Sequence, residues 1–160
     1  MSSKIILTPI GEVRVSAEEW RLEIEEPYRP ALAGLEGFGY IQVLWWAHQM
    51  DSEELRTIRT CPQPYHGGPA ELGLFATRSP VRPNPIALTA VPLLHVDIAR
   101  GTIHIAYIDA EDGTPVLDIK PYHPSVDRVR DAGVPAWCAA WPQWLEDSAT
   151  FDWDAVFEYA

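Results

Sequence analysis

Ile86-Ala-Leu-Thr-Ala-Val-Pro-Leu-Leu-His-Val-Asp-Ile-Ala-Arg-Gly-Thr-Ile-His-Ile-Ala-Tyr-Ile108 is the stretch that decides the fold. In its second half, Thr102 to Ile108, Ile103, Ile105 and Tyr107 alternate with Thr102, His104 and Ala106, the period-two spacing of a half-buried strand with His104 facing out. The first half, Ile86 to Val96, is also strand-like. Asp97 to Gly101 is short enough for a hairpin turn, with Gly101 supplying a positive φ. Outward from this hairpin, Gly11 to Val15, Arg21 to Ile24, Tyr40 to Ala47 and Leu72 to Ala76 repeat the pattern of short apolar, β-branched or aromatic runs. Fifteen prolines and ten glycines punctuate them. The chain therefore reads as mainly β, with about six or seven strands in a small antiparallel barrel or sandwich.

Helical signals are fewer. Pro30 to Leu35 suits a short turn closed by Gly34 or Gly37, and Ser52 to Ile58 opens on a capping serine. Pro142 is placed to start a helix in which Trp141, Trp144 and Leu145 share a face, and Asp152 to Tyr159 resembles another short turn, so a C-terminal helical tail is expected. Thr60 to Ala70, with three prolines and no apolar period, reads as a loop, and loops of that length often border binding sites. Neither a repeat nor a linker divides residues 1–160, which are expected to form a single domain with an acidic, Trp-rich extension over 131–160.

At 160 residues and 47% apolar, the chain is long enough to bury a sizeable core. Its 23 acidic against 12 basic residues leave a net charge of −11, which excludes a general affinity for polyanions and confines any nucleic-acid contact to a local patch. The deficit concentrates at the end: residues 131–160 hold six carboxylates and neither Lys nor Arg. Cys61 and Cys138 lie too far apart in sequence for a disulfide framework or a paired metal-ligand spacing, which points to a reducing cytoplasm. The N-terminus has no signal-peptide pattern, and the most apolar run, Tyr40 to Ala47, is far short of the ~20 residues that cross a bilayer.

Two segments are more specific than packing requires. In Gly73-Leu-Phe-Ala-Thr-Arg-Ser-Pro-Val-Arg-Pro-Asn-Pro-Ile-Ala-Leu-Thr89, prolines at 80, 83 and 85 stiffen a turn that carries Arg78 and Arg82. Both arginines are suited to grip a carboxylate or phosphate, unless nearby acids already pair them. In Tyr107-Ile-Asp-Ala-Glu-Asp-Gly-Thr-Pro-Val-Leu-Asp-Ile-Lys-Pro-Tyr122, the strand end runs into an Asp112-Gly113 turn, and four carboxylates fall within ten residues. They form either a rim for a cation or proton, or surface pairs such as Asp118 with Lys120. An extended 116–120 would set Asp118 and Lys120 on one face and Leu117 and Ile119 on the other. Gly34, Gly37 and Gly39 have the wrong order for a dinucleotide fingerprint, and both a phosphate loop and a Gly-x-Ser-x-Gly elbow are missing. The five histidines show no zinc spacing, so no metal is expected. His48 closes the aromatic run Leu44-Trp45-Trp46-Ala47 and stays a candidate on that ground.

These two segments, with Ala33-Gly-Leu-Glu-Gly-Phe38 and the Trp45 to His48 strand end, resemble the signature blocks of the TsaA-like, or TrmO, family across most of residues 5–125. The resemblance implies a small β-barrel methyltransferase that uses S-adenosyl-L-methionine and forms a homodimer with cofactor sites near the subunit interface. Its best-known members methylate the exocyclic nitrogen of threonylcarbamoyladenosine in tRNA. By position it places cofactor contacts on His48, Gln49, Arg78 and Leu88 and on the turn Asp112, Gly113, Thr114 and Pro115. It leaves Asp118, Lys120 and Tyr122 to shape the acceptor site, with Asp118 as proton acceptor. This sequence departs from the pattern in one block: Val15-Ser-Ala-Glu-Glu-Trp-Arg21 replaces the family's Pro-Arg-Gln loop, so one cofactor contact is missing or supplied elsewhere. The acidic charge leaves a small-metabolite acceptor open, and the missing loop leaves open a non-catalytic adenosyl-ligand binder. Trp137, Trp141, Trp144 and Trp153 either dock a partner, cap the barrel or form the dimer interface.

Overall fold

The computed structural model describes residues 5–17 and 19–158. The N-terminal reading over residues 1–4, Glu18 and the final Tyr159 of the expected turn lie outside the described residues. Strands β1 (Gly11–Val15), β2 (Trp20–Ile24), β3 (Tyr40–Trp46), β4 (Thr60–Pro62), β5 (Glu71–Gly73), β6 (Ile86–Asp97), β7 (Thr102–Ile105) and β8 (Pro115–Pro121) follow in chain order. Six of them close an antiparallel barrel in the order β1-β2-β7-β6-β3-β8, while β4 and β5 pair as a separate ribbon.

Alternation builds the barrel interior. Val13 on β1 faces Leu22 on β2, which in turn faces Ile103 on β7, and all three are fully buried. Ile24, Ile41, Val43, Val91, Ile105 and Val116 extend the core, with Leu32 and Ile108 also buried against it. The β6–β7 turn forms as the sequence implies: Gly101 adopts φ 73°, and an added Cβ there would lie 2.5 Å from both the Ile24 carbonyl and Arg29 Nε.

Several local expectations change. The strand expected over Leu72–Ala76 is β5 followed by a 3-10 turn, Leu74–Ala76, because the chain must bend there into the proline-rich loop. The expected loop Thr60–Ala70 begins as β4, which gains its ladder from β5. Strand β7 stops at Ile105, and Tyr107 leaves the sheet. On β8 the register slips opposite Leu44 and Trp45, skipping Leu117, so Val116 rather than Leu117 enters the core alongside Ile119.

The helical readings become short 3-10 segments, such as Glu26–Leu32 and Leu35–Gly37 around the expected Pro30–Leu35 turn. Ser52 Oγ accepts from the Leu55 amide at 3.1 Å, yet only Leu55–Thr57 winds, as a 3-10 turn. Pro142 starts no helix. The tail instead forms 3-10 turns at Ala136–Cys138 and Leu145–Thr150, and Trp144 is exposed while Trp141 is half-buried elsewhere. Among the described residues, one α-helical turn forms, α1 (Pro124–Asp127), which no sequence signal marked. Among the described residues, no helix is long and apolar enough to cross a membrane.

Candidate functional site

Antiparallel pairing of β3 with β6 sets Trp45 beside Ala87 and Leu44 beside Leu88, so the end of one strand and the start of the other form a common edge. Just beyond it, the Ala47 amide donates to the Pro85 carbonyl at 2.8 Å. This edge, the 75–82 loop and the 107–111 loop enclose a cavity of about 780 Å³, within the range of small-molecule sites. Trp20 and Tyr107 close one side, edge to face with ring centroids 5.5 Å apart. Trp45 lines the wall in a fixed pose, its Nε1 donating to Thr89 Oγ1 at 3.0 Å.

The two arginines of the stiff loop have different jobs. Arg82 Nη1 donates to the carbonyls of Leu74, Thr77 and Ser79, and its guanidinium lies 5.5 Å from the centre of the Phe75 ring. It holds the loop's shape. Arg78 donates once, from Nη2 to the Leu88 carbonyl at 2.6 Å, and is exposed to the cavity. Neither is paired with a carboxylate among the described residues, unlike Arg14, Arg21, Arg56 and Arg100. Arg78 thus enters the cavity without a carboxylate partner, its guanidinium oriented by the Leu88 carbonyl.

Opposite charge also lines the cavity, from Asp109 and Glu111 in the loop that carries Tyr107. Burial, and then the Asp109 charge, push the Tyr107 phenol above its ordinary range, so it stays protonated near neutrality. The cavity is therefore bipolar, with guanidinium in one loop and carboxylates in the next, over aromatic and aliphatic walls. That donor set fits S-adenosyl-L-methionine, a ligand with a carboxylate, two cationic centres and a purine.

The expected cofactor residues divide. His48, Gln49, Arg78, Leu88 and Thr114 line the cavity together, and His48 Nδ1 lies 3.4 Å from the buried Thr114 hydroxyl, which ties the two distinctive segments to each other. Asp112, Gly113 and Pro115 do not line it. The Asp112 carboxylate accepts from the Val15 amide at 2.9 Å and pairs with Arg14 at 3.6 Å, the Gly113 amide donates to Val13, and Pro115 sits opposite Glu12. Those three close the barrel.

Asp118, Lys120 and Tyr122 also lie outside the cavity lining. Lys120 Nζ donates to Asp118 Oδ2 at 2.7 Å, with Asp118 chiefly responsible for holding the Lys120 ammonium above its usual pKa, and Tyr122 packs on Tyr40 at 6.3 Å. Trp20, Tyr107, Phe75, Met50, Asp109 and Glu111 are among the lining residues that were not expected at the site from the sequence. Trp20 stands at the start of β2. Among the described residues, no three His, Cys, Asp or Glu side chains converge as a metal site.

The model of the tRNA-methyltransferase O N-terminal domain matches residues 4–128. The chain belongs to this family. An S-adenosyl-L-methionine-binding protein of Archaeoglobus fulgidus is 35% identical over 139 residues, covering 78% of this chain and 94% of that protein. The tRNA (adenine(37)-N6)-methyltransferase of Escherichia coli is 39% identical over 123 residues, covering 74% of this chain. The crystal structure of TrmO from Pseudomonas aeruginosa superposes with a TM-score of 0.65 at 30% identity over 85% of this chain. This chain spans 51% of the Escherichia coli enzyme and 62% of the Pseudomonas aeruginosa one. Residues 129–160 fall beyond the family match.

Proposed function

We propose that this chain is an S-adenosyl-L-methionine-dependent methyltransferase that acts on the exocyclic nitrogen of a modified adenosine in tRNA, threonylcarbamoyladenosine being the acceptor that family membership favours. The bipolar cavity is the observation that carries the reading. Arg78 holds the carboxylate of the methionine moiety, while Trp45, Leu88 and His48 border the remainder. When bound, the cofactor supplies an electrophilic methyl on a sulfonium that is already a good leaving group. The protein's task is then alignment and exclusion of water rather than covalent catalysis.

Trp20 and Tyr107 offer aromatic faces for an acceptor base. Asp109, a cavity carboxylate in the loop of Tyr107, accepts the proton that the nitrogen sheds, and is preferred to Asp118 because it lines the cavity. A local charge reversal supports a tRNA acceptor despite the overall −11: residues 56–82 hold Arg56, Arg59, Arg78 and Arg82 against the single carboxylate Glu71. A homodimer belongs to the same reading, because exposed Phe75, Met50 and Leu88 give the cavity an apolar rim that a second protomer would cover; sedimentation at equilibrium measures it.

Isothermal calorimetry with S-adenosyl-L-methionine tests the proposal. Wild-type protein binds, and Arg78→Ala weakens binding about 10- to 100-fold, the size of a charge-assisted hydrogen bond. Absence of binding by the wild type refutes the cofactor. With labelled cofactor, label is expected in bulk tRNA; its appearance only in a small-molecule extract refutes the tRNA acceptor.

A further inference from the structure

Antiparallel register sets Ala87, Thr89 and Val91 of β6 opposite Trp45, Val43 and Ile41 of β3. Ile41, Val43 and Val91 are buried in the core, whereas Trp45, Ala87 and Thr89 line the cavity. The cavity therefore opens where the barrel core stops, and Trp45, half-buried against that core, walls it at the junction. Thr89 is the polar member of an otherwise apolar row, since alternate residues of a strand share a face.

Its hydroxyl has a partner. Trp45 Nε1 donates to Thr89 Oγ1 at 3.0 Å. Two consequences follow for anything that enters the cavity. Turning the indole would forfeit the bond, so the ring plane is held before a ligand arrives. The indole donor is also spent within the protein, so Trp45 offers a ligand ring surface and no hydrogen bond. Ala87, its cross-strand partner, and Ala47, two residues on, carry only methyl groups and leave room beside the ring.

Arg78 takes its bearing from the same strand, because Nη2 donates to the carbonyl of Leu88, the residue before Thr89. An anion grip and an aromatic wall are thus referred to consecutive residues of β6, and one strand sets their separation. The other aromatic pair in the lining is different: Tyr107 is 55% exposed and meets Trp20 edge to face, with no core behind its ring comparable to that behind Trp45.

We propose that Trp45 is the wall against which the purine of the cofactor packs, and that Thr89 is the positioning residue that holds it there. This rests on the cofactor reading given above. It divides the aromatic surfaces between two bases, the fixed inner one for the cofactor and the exposed pair for the acceptor.

Thr89→Val tests it, since valine keeps the β-branched shape and removes only the hydroxyl. The probes are S-adenosyl-L-methionine and 5′-methylthioadenosine, which keeps the purine but has neither the carboxylate nor the sulfonium charge. Thr89→Val is expected to weaken both by the same factor, about three- to tenfold, and to speed hydrogen exchange of the Trp45 indole N–H in the ligand-free protein. Thr89→Ser restores the hydroxyl and is expected to bind both as the wild type does. In a Trp45→Phe background, which has no indole N–H, Thr89→Val costs nothing further, because the two residues act through one bond. Loss confined to S-adenosyl-L-methionine would set Trp45 against the sulfonium or the methionine end and overturn the purine assignment, as would wild-type protein that binds this ligand and not 5′-methylthioadenosine. The same loss in Thr89→Ser, or a further loss in the Trp45→Phe background, would overturn the positioning role. A wild-type protein that binds neither ligand overturns the cofactor reading and this one together; one that binds both while Thr89→Val matches it overturns this one alone.

Discussion

Gly101→Ala and Gly113→Ala make a controlled pair, because the two glycines have nearly the same backbone and different surroundings. Their φ angles are 73° and 77°. Placing an alanine in that left-handed region costs about 1–2 kcal/mol at either site. At Gly113 nothing lies within 4 Å of the added Cβ, so that is the whole effect. At Gly101 the Cβ falls 2.5 Å from the Ile24 carbonyl and from Arg29 Nε, and 2.9 Å from Arg29 Cδ. The side chain of Arg29 can swing away, but the carbonyl belongs to β2. Displacing it strains two hydrogen bonds, Ile24 N to Gly101 O at 2.7 Å and Arg29 Nε to Ile24 O at 3.2 Å. At about 1 kcal/mol each these raise the cost to about 3–4 kcal/mol. For a chain of this size, 1 kcal/mol moves the melting temperature by about 2–4 °C. Differential scanning calorimetry should therefore show a loss of about 5 °C for Gly113→Ala and about 10 °C for Gly101→Ala. Equal losses would refute the argument that close approach, and not φ alone, selects glycine at position 101.

Two further outcomes follow from the core and from one ion pair. Ile103→Ala, at a fully buried position in the middle of the barrel, is expected to lose about 2–5 kcal/mol in urea denaturation; a loss below 1 kcal/mol would mean that the barrel interior collapses around the gap. The Asp51 carboxyl is held below its ordinary pKa, chiefly by the Arg56 hydrogen bond and then by Trp46 Nε1, so its contribution is present above the unfolded carboxylate value and lost as pH falls through the folded one. Urea midpoints taken downward from pH 6 should fall less steeply in acid for Asp51→Asn than for wild type, and parallel curves would count against the linkage.

Alternation made β1, β2, β3 and the β6–β7 hairpin legible, because each buries one face and the period is visible in five residues. It could not show the β8 bulge, where a single skipped residue, Leu117, exchanges which side chain enters the core. The arginine loop was legible as a site through its prolines, but sequence spacing gave Arg78 and Arg82 the same role. Only the fold reveals that Arg82, which also lines the cavity, turns Nη1 to three carbonyls of its own loop. Asp109 and Glu111 stood out as part of a carboxylate run, while the separation of that run into cavity, seam and outer face depends on where β7 ends. Trp20 had no signal at all, since it enters the cavity from a strand start across the barrel. Tail tryptophans announced burial by their size, and Tyr65, on whose ring Trp137 stacks at 5.2 Å, was hidden in a segment with no period.

The closure of the barrel has a consequence for how it assembles and breathes. β1 meets β8 through two register pairs, Gly11 with Val116 and Glu12 with Pro115, whereas β3 meets β6 through seven. Joining those two strands closes a loop of roughly 100 residues, an entropic toll on the order of 4 kcal/mol before any contact rewards it. The seam is thus the natural last step of folding and the first ladder to part in local unfolding. Asp112 and Gly113 latch that seam, and Thr114, one residue on, already lines the cavity. Parting of the seam would therefore disturb the Thr114 wall of the pocket, and amide exchange at Val13 and Val15, which donate to Thr114 and Asp112, would report it.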